Sequence, residues 1–166
     1  MQIFVVADTE IQGTFEKFYQ EFFKLSFDLD MAMKPEFCYL LSKDTQENFS
    51  RDVSIFIAIL SYELDRDGRN FIESFDFNEF TFEEIDGYFM NSSFIDLIES
   101  NKTLRDNESR RTLLNGMARR NIIFKTFEDR FTFTQAYKVF VDFAKELALK
   151  RIKGEPETQN VESWKN

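Results

Sequence analysis

The sequence lacks several residue types on which common enzyme sites depend. Its 166 residues include no histidine, one cysteine, five glycines and two prolines. Without histidine, the chain has no side chain whose ordinary pKa lies near neutral pH, and one cysteine cannot build a cysteine-rich zinc site or an internal disulfide. We also find no phosphate-binding glycine loop, dinucleotide fingerprint or nucleophile elbow. We therefore expect a protein that is not an enzyme and uses no cofactor or metal.

Long apolar runs are also missing. The longest, residues 53–60, is interrupted by Ser54 and is far shorter than a bilayer span, and the first residues do not have the pattern of a signal peptide. We expect a soluble, cytoplasmic protein with no membrane partner. The lone Cys38 fits a reducing compartment and is expected to be a small buried apolar residue between Phe37 and Tyr39.

Phenylalanine is abundant, with 22 copies, so the predicted core is largely aromatic. The accompanying bias toward Ile, Asn, Lys and Asp is typical of AT-rich genomes, and it suggests an origin in a phage or another mobile element.

Charge is divided between two parts of the chain. Residues 1–100 contain 7 Lys and Arg against 21 Asp and Glu, whereas residues 101–166 contain 14 against 9. The net charge of −9 argues against nucleic-acid binding unless the charges are also separated in space. The acidic half is predicted to contact a protein partner, and the ordinary alternative is that both charged parts are solvated faces.

The pattern in residues 1–48 predicts an acidic lobe of one strand and one helix. A β-branched and aromatic run over residues 2–7 predicts the strand, and apolar residues from Phe15 to Phe22 recur at helical spacing. Residues 31–50 look irregular, or briefly helical over residues 36–41.

The middle of the chain is predicted to be mainly helical. Ser50 is expected to cap a helix over residues 51–65 that is apolar on all sides and therefore deeply buried. Alternating Phe residues over 75–82 predict a strand with a bend or bulge. Thr81 and Glu84 form a capping box for a helix ending at Met90, and Ser93 is expected to begin another through Glu99.

From residue 106 onward the pattern changes from helical to alternating. Asp106 or Asn107 is expected to cap a helix to about residue 121, and a two-residue loop at Glu128 and Asp129 predicts a hairpin with Phe124 opposite Phe133. Thr134 is then expected to cap a long helix whose apolar stripe runs from Tyr137 to Ala148. Residues 154–166 are predicted to be a flexible tail.

This order of elements resembles the winged helix-turn-helix superfamily, in which the last helix before the hairpin usually recognises DNA. The stretch that carries the resemblance is residues 110–123, with paired leucines, basic residues and an Asn before the first hairpin strand. The resemblance implies an α+β, mainly helical fold, with a winged-helix domain over residues 49–153 after the small lobe.

On this hypothesis the chain is a DNA-associated regulatory or accessory protein that binds double-stranded DNA. A major groove accepts one helix, and the residues opposite the leucines carry hydrogen-bond donors. The predicted groove residues are Arg111, Thr112, Asn115 and Arg119. The predicted phosphate contacts are Lys102, Arg105, Arg120, Lys125 and Arg130.

Two features point away from DNA: Glu128 and Asp129 lie at the predicted wing tip, and Arg110 projects toward the apolar side of its helix. The alternative hypothesis is a non-enzymatic inhibitor, adaptor or immunity-type protein that acts through its acidic surface. Residues 65–76 also match a calcium loop in part, but Arg69 occupies a ligand position and Asn70 replaces the turn glycine. A polar turn is the preferred interpretation of that segment.

Overall fold

The computed structural model describes residues 4–6, 16–33, 38–42 and 47–142. It divides the chain into two compact units: one comprises Met1–Glu47 and Phe143–Asn166, and the other comprises Asn48–Asp142. The fold is α+β and mainly helical, as the sequence predicts. Within the described ranges, no helix combines the length and the apolar composition needed to cross a bilayer. The predicted domain boundaries stay a prediction, and residues 154–166 lie outside the described residues.

Among its described residues, the first unit contains one helix and a three-stranded antiparallel sheet. Its elements are β1 (Phe4–Val6), α1 (Glu16–Phe27), β2 (Leu29–Met33) and β3 (Cys38–Ser42), and the strand order is β1-β3-β2. The prediction that residues 31–50 are irregular, or briefly helical over residues 36–41, is wrong for residues 31–33 and 38–42, because β2 and β3 pair along their full lengths. Residues 34–37 and 43–46 lie outside the described residues. A left-handed residue, Asp28 (φ 51°), separates α1 from β2. Cys38 is buried beside Met31 and Leu40, as predicted.

The second unit is built from six helical segments and a second three-stranded sheet in the described part of the chain. Its labelled elements are α2 (Glu47–Arg66), α3 (Phe71–Phe77), β4 (Glu79–Thr81), α4 (Phe82–Met90), α5 (Ile95–Ser100), α6 (Asn107–Arg119), β5 (Ile123–Lys125) and β6 (Arg130–Phe133). Residues 137–142 are also helical. Part of the predicted stripe of this last helix, from Ala144 to Ala148, lies outside the described residues.

Helix α2 begins earlier than the sequence predicts. Ser50 is not its N-cap, because the helix starts at Glu47 and the Ser50 carbonyl accepts a hydrogen bond from the Ser54 hydroxyl at 2.8 Å. Most of its apolar side chains are buried, including Phe56, Leu60 and Leu64. However, one stripe of the helix is open to solvent, so it is not buried on all sides.

Residues 71–77 form α3, so the strand predicted over residues 75–82 is wrong for residues 75–77. The Asn70 side chain accepts hydrogen bonds from the backbone N–H groups of Ile72 and Glu73, so it caps a helix at this point. Only β4, which follows Asn78, keeps the extended structure expected for this segment. The segment compared with a calcium loop is therefore a helix end, a turn and a capped helix. No cluster suited to a metal ion occurs among the described residues.

The capping predictions have different outcomes. Thr81 caps α4 by accepting a hydrogen bond from the Glu84 N–H, and Asp106 caps α6 by accepting one from the Ser109 N–H, so both caps are confirmed. The Glu84 side chain accepts from Arg69 at 2.6 Å, so the second half of the predicted capping box is not formed. The N-cap of α5 is Phe94, which makes no side-chain cap bond, so the prediction that Ser93 begins this helix is wrong.

The second sheet has the strand order β4-β6-β5, all antiparallel. The hairpin exists, but its predicted register is wrong by one residue: Phe133 pairs with Ile123, and Phe124 pairs with Thr132. Residues 126–129 form the loop, closed by a hydrogen bond from the Thr126 N–H to the Arg130 carbonyl. A slip of one residue reverses the face of every side chain, and Phe124 is accordingly 65% exposed.

An aromatic cluster forms the core between this sheet and its helices. Phe75 packs on Phe80, Phe133 and Tyr137, with ring centroids 4.5–6.2 Å apart. Phe131 packs on Phe80 at 5.9 Å. All five rings are buried, which confirms the aromatic core expected from composition.

Candidate nucleic-acid interface

Helix α6 has defined ends that fix the start of the hairpin. Asp106 caps its beginning, and at its end Asn121 adopts a left-handed conformation (φ 54°). The Ile122 N–H donates to the Met117 carbonyl and the Asn121 N–H to the Ala118 carbonyl, which is a Schellman motif. Ile122 and Met117, the two positions that carry the apolar contact of such a motif, are both fully buried. The motif therefore fixes the direction in which the chain leaves α6, and β5 begins directly after Ile122.

Leu113, Leu114 and Met117 form the buried side of α6, together with a buried cation, Arg110. The Arg110 guanidinium donates from Nε to Asp86 Oδ1 and from Nη1 to the Leu104 carbonyl, both at 2.7 Å. The sequence placed Arg110 toward the apolar side, and the structure confirms that position. This side chain is therefore not available to DNA.

The opposite side of α6 carries the four residues predicted for the groove. Arg111, Thr112, Asn115 and Arg119 are all exposed, so the helical projection placed them correctly. The Thr112 hydroxyl donates to the Glu108 carbonyl at 3.0 Å. Glu108 is also exposed, one turn before Arg111 and Thr112, and it is the acidic residue of this side.

A buried aromatic ring joins this side of α6 to the hairpin. The Arg111 guanidinium lies over the Phe82 ring at 5.3 Å from its centroid, and the Lys125 ammonium lies over the same ring at 5.2 Å. Cations are attracted to the face of an aromatic ring, and this attraction holds them without removing their charge. Within the described part of the chain, neither Arg111 nor Lys125 forms an ion pair with a carboxylate.

We call Arg111, Thr112, Asn115, Arg119 and Lys125 the cationic face. Arg119, like Arg111 and Lys125, has no carboxylate partner among the described residues. Three unneutralised cations thus lie on one helix and the adjoining strand. The sequence does not predict that Phe82 supports both Arg111 and Lys125. Its one local signal is that Phe82 directly follows the predicted cap, Thr81.

Three other predicted cations have partners within the protein. Arg130 Nη1 lies 3.1 Å from Glu79 Oε2, and Arg105 Nε lies 3.1 Å from Asp106 Oδ2. Arg120 stacks on the Phe49 ring at 4.0 Å and donates to the Gly116 carbonyl. The guanidinium groups of Arg105, Arg120 and Arg130 therefore already contact other groups of the protein.

The Glu79 carboxylate is held in its charged form. A hydrogen bond from the Thr126 hydroxyl, and secondly one from Arg130, lower the pKa of Glu79 below its usual range. At neutral pH this carboxylate therefore neutralises Arg130. The remaining predicted residue, Lys102, is exposed beside a depression between α2 and α5, together with Arg51.

The described residues define an α+β, mainly helical protein with an exposed cationic face on α6 and β5. The family model of the condensin complex protein MksE matches residues 9–145. The chain therefore belongs to the MksE family of condensin complex proteins. No curated protein matches the chain.

This family membership corrects the sequence-based identification. The chain is assigned to the MksE family and not to the winged helix-turn-helix superfamily. The predictions of a DNA-associated regulatory or accessory protein that uses a winged helix, and of its phage or mobile-element origin, are wrong, because the family is that of a condensin complex protein. The alternative of an inhibitor, adaptor or immunity-type protein is likewise not supported.

Proposed function

We propose that this chain is a non-catalytic subunit of a condensin-type complex that organises the chromosome. The observation that carries the proposal is the match of the MksE family model to residues 9–145, which spans most of the chain. A condensin complex protein has protein partners by definition. We assign one of these partners to the acidic N-terminal half, and we propose the cytoplasm as the location of the complex.

The cationic face is the part of this subunit that we expect to contact double-stranded DNA. Arg111, Arg119 and Lys125 have no carboxylate partner among the described residues, and phosphate contacts do not depend on base sequence. A complex that organises a whole chromosome needs DNA contacts that do not depend on base sequence. Asn115 lies between the cations and offers its side-chain N–H groups to the same phosphates, whereas the Thr112 hydroxyl would have to leave the Glu108 carbonyl to donate to one.

The other predicted cations would contribute less. Arg105 and Arg130 would have to exchange a carboxylate for a phosphate, and Arg120 would have to leave the Phe49 ring. Lys102 lies beside Arg51 at the depression between α2 and α5. We therefore expect these four residues to modulate DNA binding and the cationic face to determine it.

The net charge of −9 means that the isolated subunit binds DNA weakly and that the complex supplies the remaining affinity. Affinity purification of the tagged full chain from its native cells tests the proposal. We expect other subunits of a condensin-type complex in stoichiometric amounts by mass spectrometry. A chain that purifies alone, or only with proteins unrelated to chromosome organisation, would contradict it.

A further inference from the structure

Helix α2 presents an apolar stripe to solvent. Ile55, Ala58 and Tyr62 are spaced at i, i+3 and i+7, so they lie on one side of the helix. Ile55 is half-buried, Ala58 is exposed and Tyr62 is 47% exposed. The stripe is about 10 Å long at 1.5 Å per residue.

Helix α5 and its N-cap residue extend this stripe into a wider patch. The Phe94 ring meets the Tyr62 ring edge to face, with centroids 4.9 Å apart. At the other end, Leu97 (45% exposed) and Ile55 line the same depression. We call Ile55, Ala58, Tyr62, Phe94 and Leu97 the α2–α5 groove, with the small Ala58 between larger side chains.

The depression at one end of the groove has a volume of about 430 Å³ and carries two exposed cations, Arg51 and Lys102. Arg51 Nη2 lies 3.7 Å from Asp52 Oδ1, which is a long ion pair. The Asp52 carboxylate is mostly buried and already accepts hydrogen bonds from Asn101 and Thr103. Lys102 has no carboxylate partner among the described residues.

We infer that the α2–α5 groove binds a short amphipathic segment of another protein subunit, with acidic side chains at the end that meets Arg51 and Lys102. Contiguous exposed apolar surface rimmed by polar residues marks an interaction site. The positive end of the groove selects an acidic partner by charge complementarity. Because Ala58 is small and exposed, we expect one large apolar side chain of the partner, such as Leu or Phe, to lie over it between Ile55 and Tyr62.

This inference deepens the proposed function, since the segment would belong to another subunit of the same complex. To test it, Ala58 is replaced by the photoreactive residue p-benzoylphenylalanine in the full chain, in native cells. After irradiation, mass spectrometry locates the crosslinked peptide. We expect a peptide of a different protein in which large apolar residues adjoin Asp or Glu.

A matched control carries the same photoreactive residue at Glu73, which is exposed on α3. We expect that variant not to crosslink to the same peptide. A crosslink from position 58 to a second copy of this chain, to its own N-terminal unit, to a peptide without acidic residues, or to nothing would overturn the inference.

Binding of the synthetic crosslinked peptide then tests the charge assignment. The double variant Arg51→Glu, Lys102→Glu should weaken binding by roughly tenfold or more, and a peptide with Lys in place of its acidic residues should restore it. Ala58→Arg should abolish binding with an unchanged circular dichroism spectrum. Equal binding by all of these variants would refute the groove.

Different results would contradict the proposed function and the inference about the α2–α5 groove. If the chain is no condensin subunit, position 58 still crosslinks to an acidic, amphipathic segment of some other protein. If the groove is not the binding site, the condensin-type partners still co-purify with the chain while position 58 yields no such peptide.

Discussion

Arg110 and Asp86 form an ion pair of 2.7 Å between α6 and α4, and their side chains are only 4% and 13% exposed. Asp86 also accepts a hydrogen bond from the Asn107 side chain, and Arg110 lies over the Phe89 ring. The pair lies on the buried side of α6 with Leu113, Leu114 and Met117, and this buried side determines which residues of the helix face outward. The cationic face therefore depends on an arginine that does not belong to it.

We expect Arg110→Ala to destabilise the protein by about 3–5 kcal/mol, because it leaves the Asp86 carboxylate buried without its partner. Asp86→Ala should have a similar effect, and the double variant should lose less than the two single changes together. Urea denaturation measures these free energies of unfolding. Arg119→Ala is the control, since this exposed residue should have little effect; an equally small effect of Arg110→Ala would contradict the account.

Gly116 and Gly87 provide a matched pair of helical glycines. A Cβ on Gly116 would lie 2.9 Å from the Phe49 ring, whereas a Cβ on Gly87 would meet nothing within 4 Å. Gly87→Ala should stabilise the protein by about 0.5–1 kcal/mol through its higher helix propensity. Gly116→Ala should lose that gain, because the Phe49 ring and the Arg120 guanidinium on it must move. Equal melting temperatures of the two variants would show that the contact is unimportant.

The cap of α6 makes a prediction about pH. Hydrogen bonds from Ser109, first from its backbone, lower the pKa of Asp106 below its ordinary value of 3.8. A depressed pKa in the folded state means that the stabilisation is complete above pH 3.8 and is lost as the pH falls through the folded-state pKa. NMR titration of the Asp106 carboxyl should therefore give a pKa below 3.8.

Asp106→Asn is the control for this titration, since Asn also caps helices but does not titrate. The difference in stability between the wild type and this variant should shrink as the pH falls below 3.8. An Asp106 pKa at or above 3.8 would show that the cap does not favour the charged form.

The cationic face makes a prediction about salt. With Arg111, Arg119 and Lys125 each on a phosphate, a plot of log K against log salt for duplex DNA should have a slope of about −2.7. The triple variant to Ala should lose most of that slope. Fluorescence anisotropy of a labelled duplex measures the binding constant K of the wild type and of the triple variant at each salt concentration.

A triple variant of Lys17, Arg51 and Lys102 to Ala removes the same charge from other positions and serves as the matched control. These side chains are exposed and lie outside the cationic face. If both triple variants lose the same affinity and slope, DNA binding follows the net charge, and the face has no specific role.

Local signals in the sequence predicted much of the second unit. The caps at Thr81 and Asp106 depend on a side chain and a backbone N–H three residues away, so they can be recognised without knowledge of tertiary structure. The same holds for the outward positions of α6, which follow from its helical period. The buried position of Arg110 could be predicted for this reason, but its partner Asp86 could not.

Long-range features could not be predicted from the sequence in the same way. The loop covers residues 126–129 and not only the predicted residues 128 and 129, so the observed register differs by one residue and Phe124 faces outward. The alternating sequence of this strand is compatible with either register. The strand β2 pairs with β3 across the sheet, and neither has a strong pattern of its own. The Phe82 support of Arg111 and Lys125 joins residues far apart in the chain, so only the fold brings them together.

The most direct test of the central claim is the amount of chromosomal DNA retained on the affinity-purified complex, measured by quantitative PCR for the wild type and for the Arg111, Arg119 and Lys125 triple variant. The account predicts the same condensin-type partners with both chains and markedly less DNA with the variant. Equal amounts of DNA on both, or a wild-type chain that carries neither partners nor DNA, would contradict it.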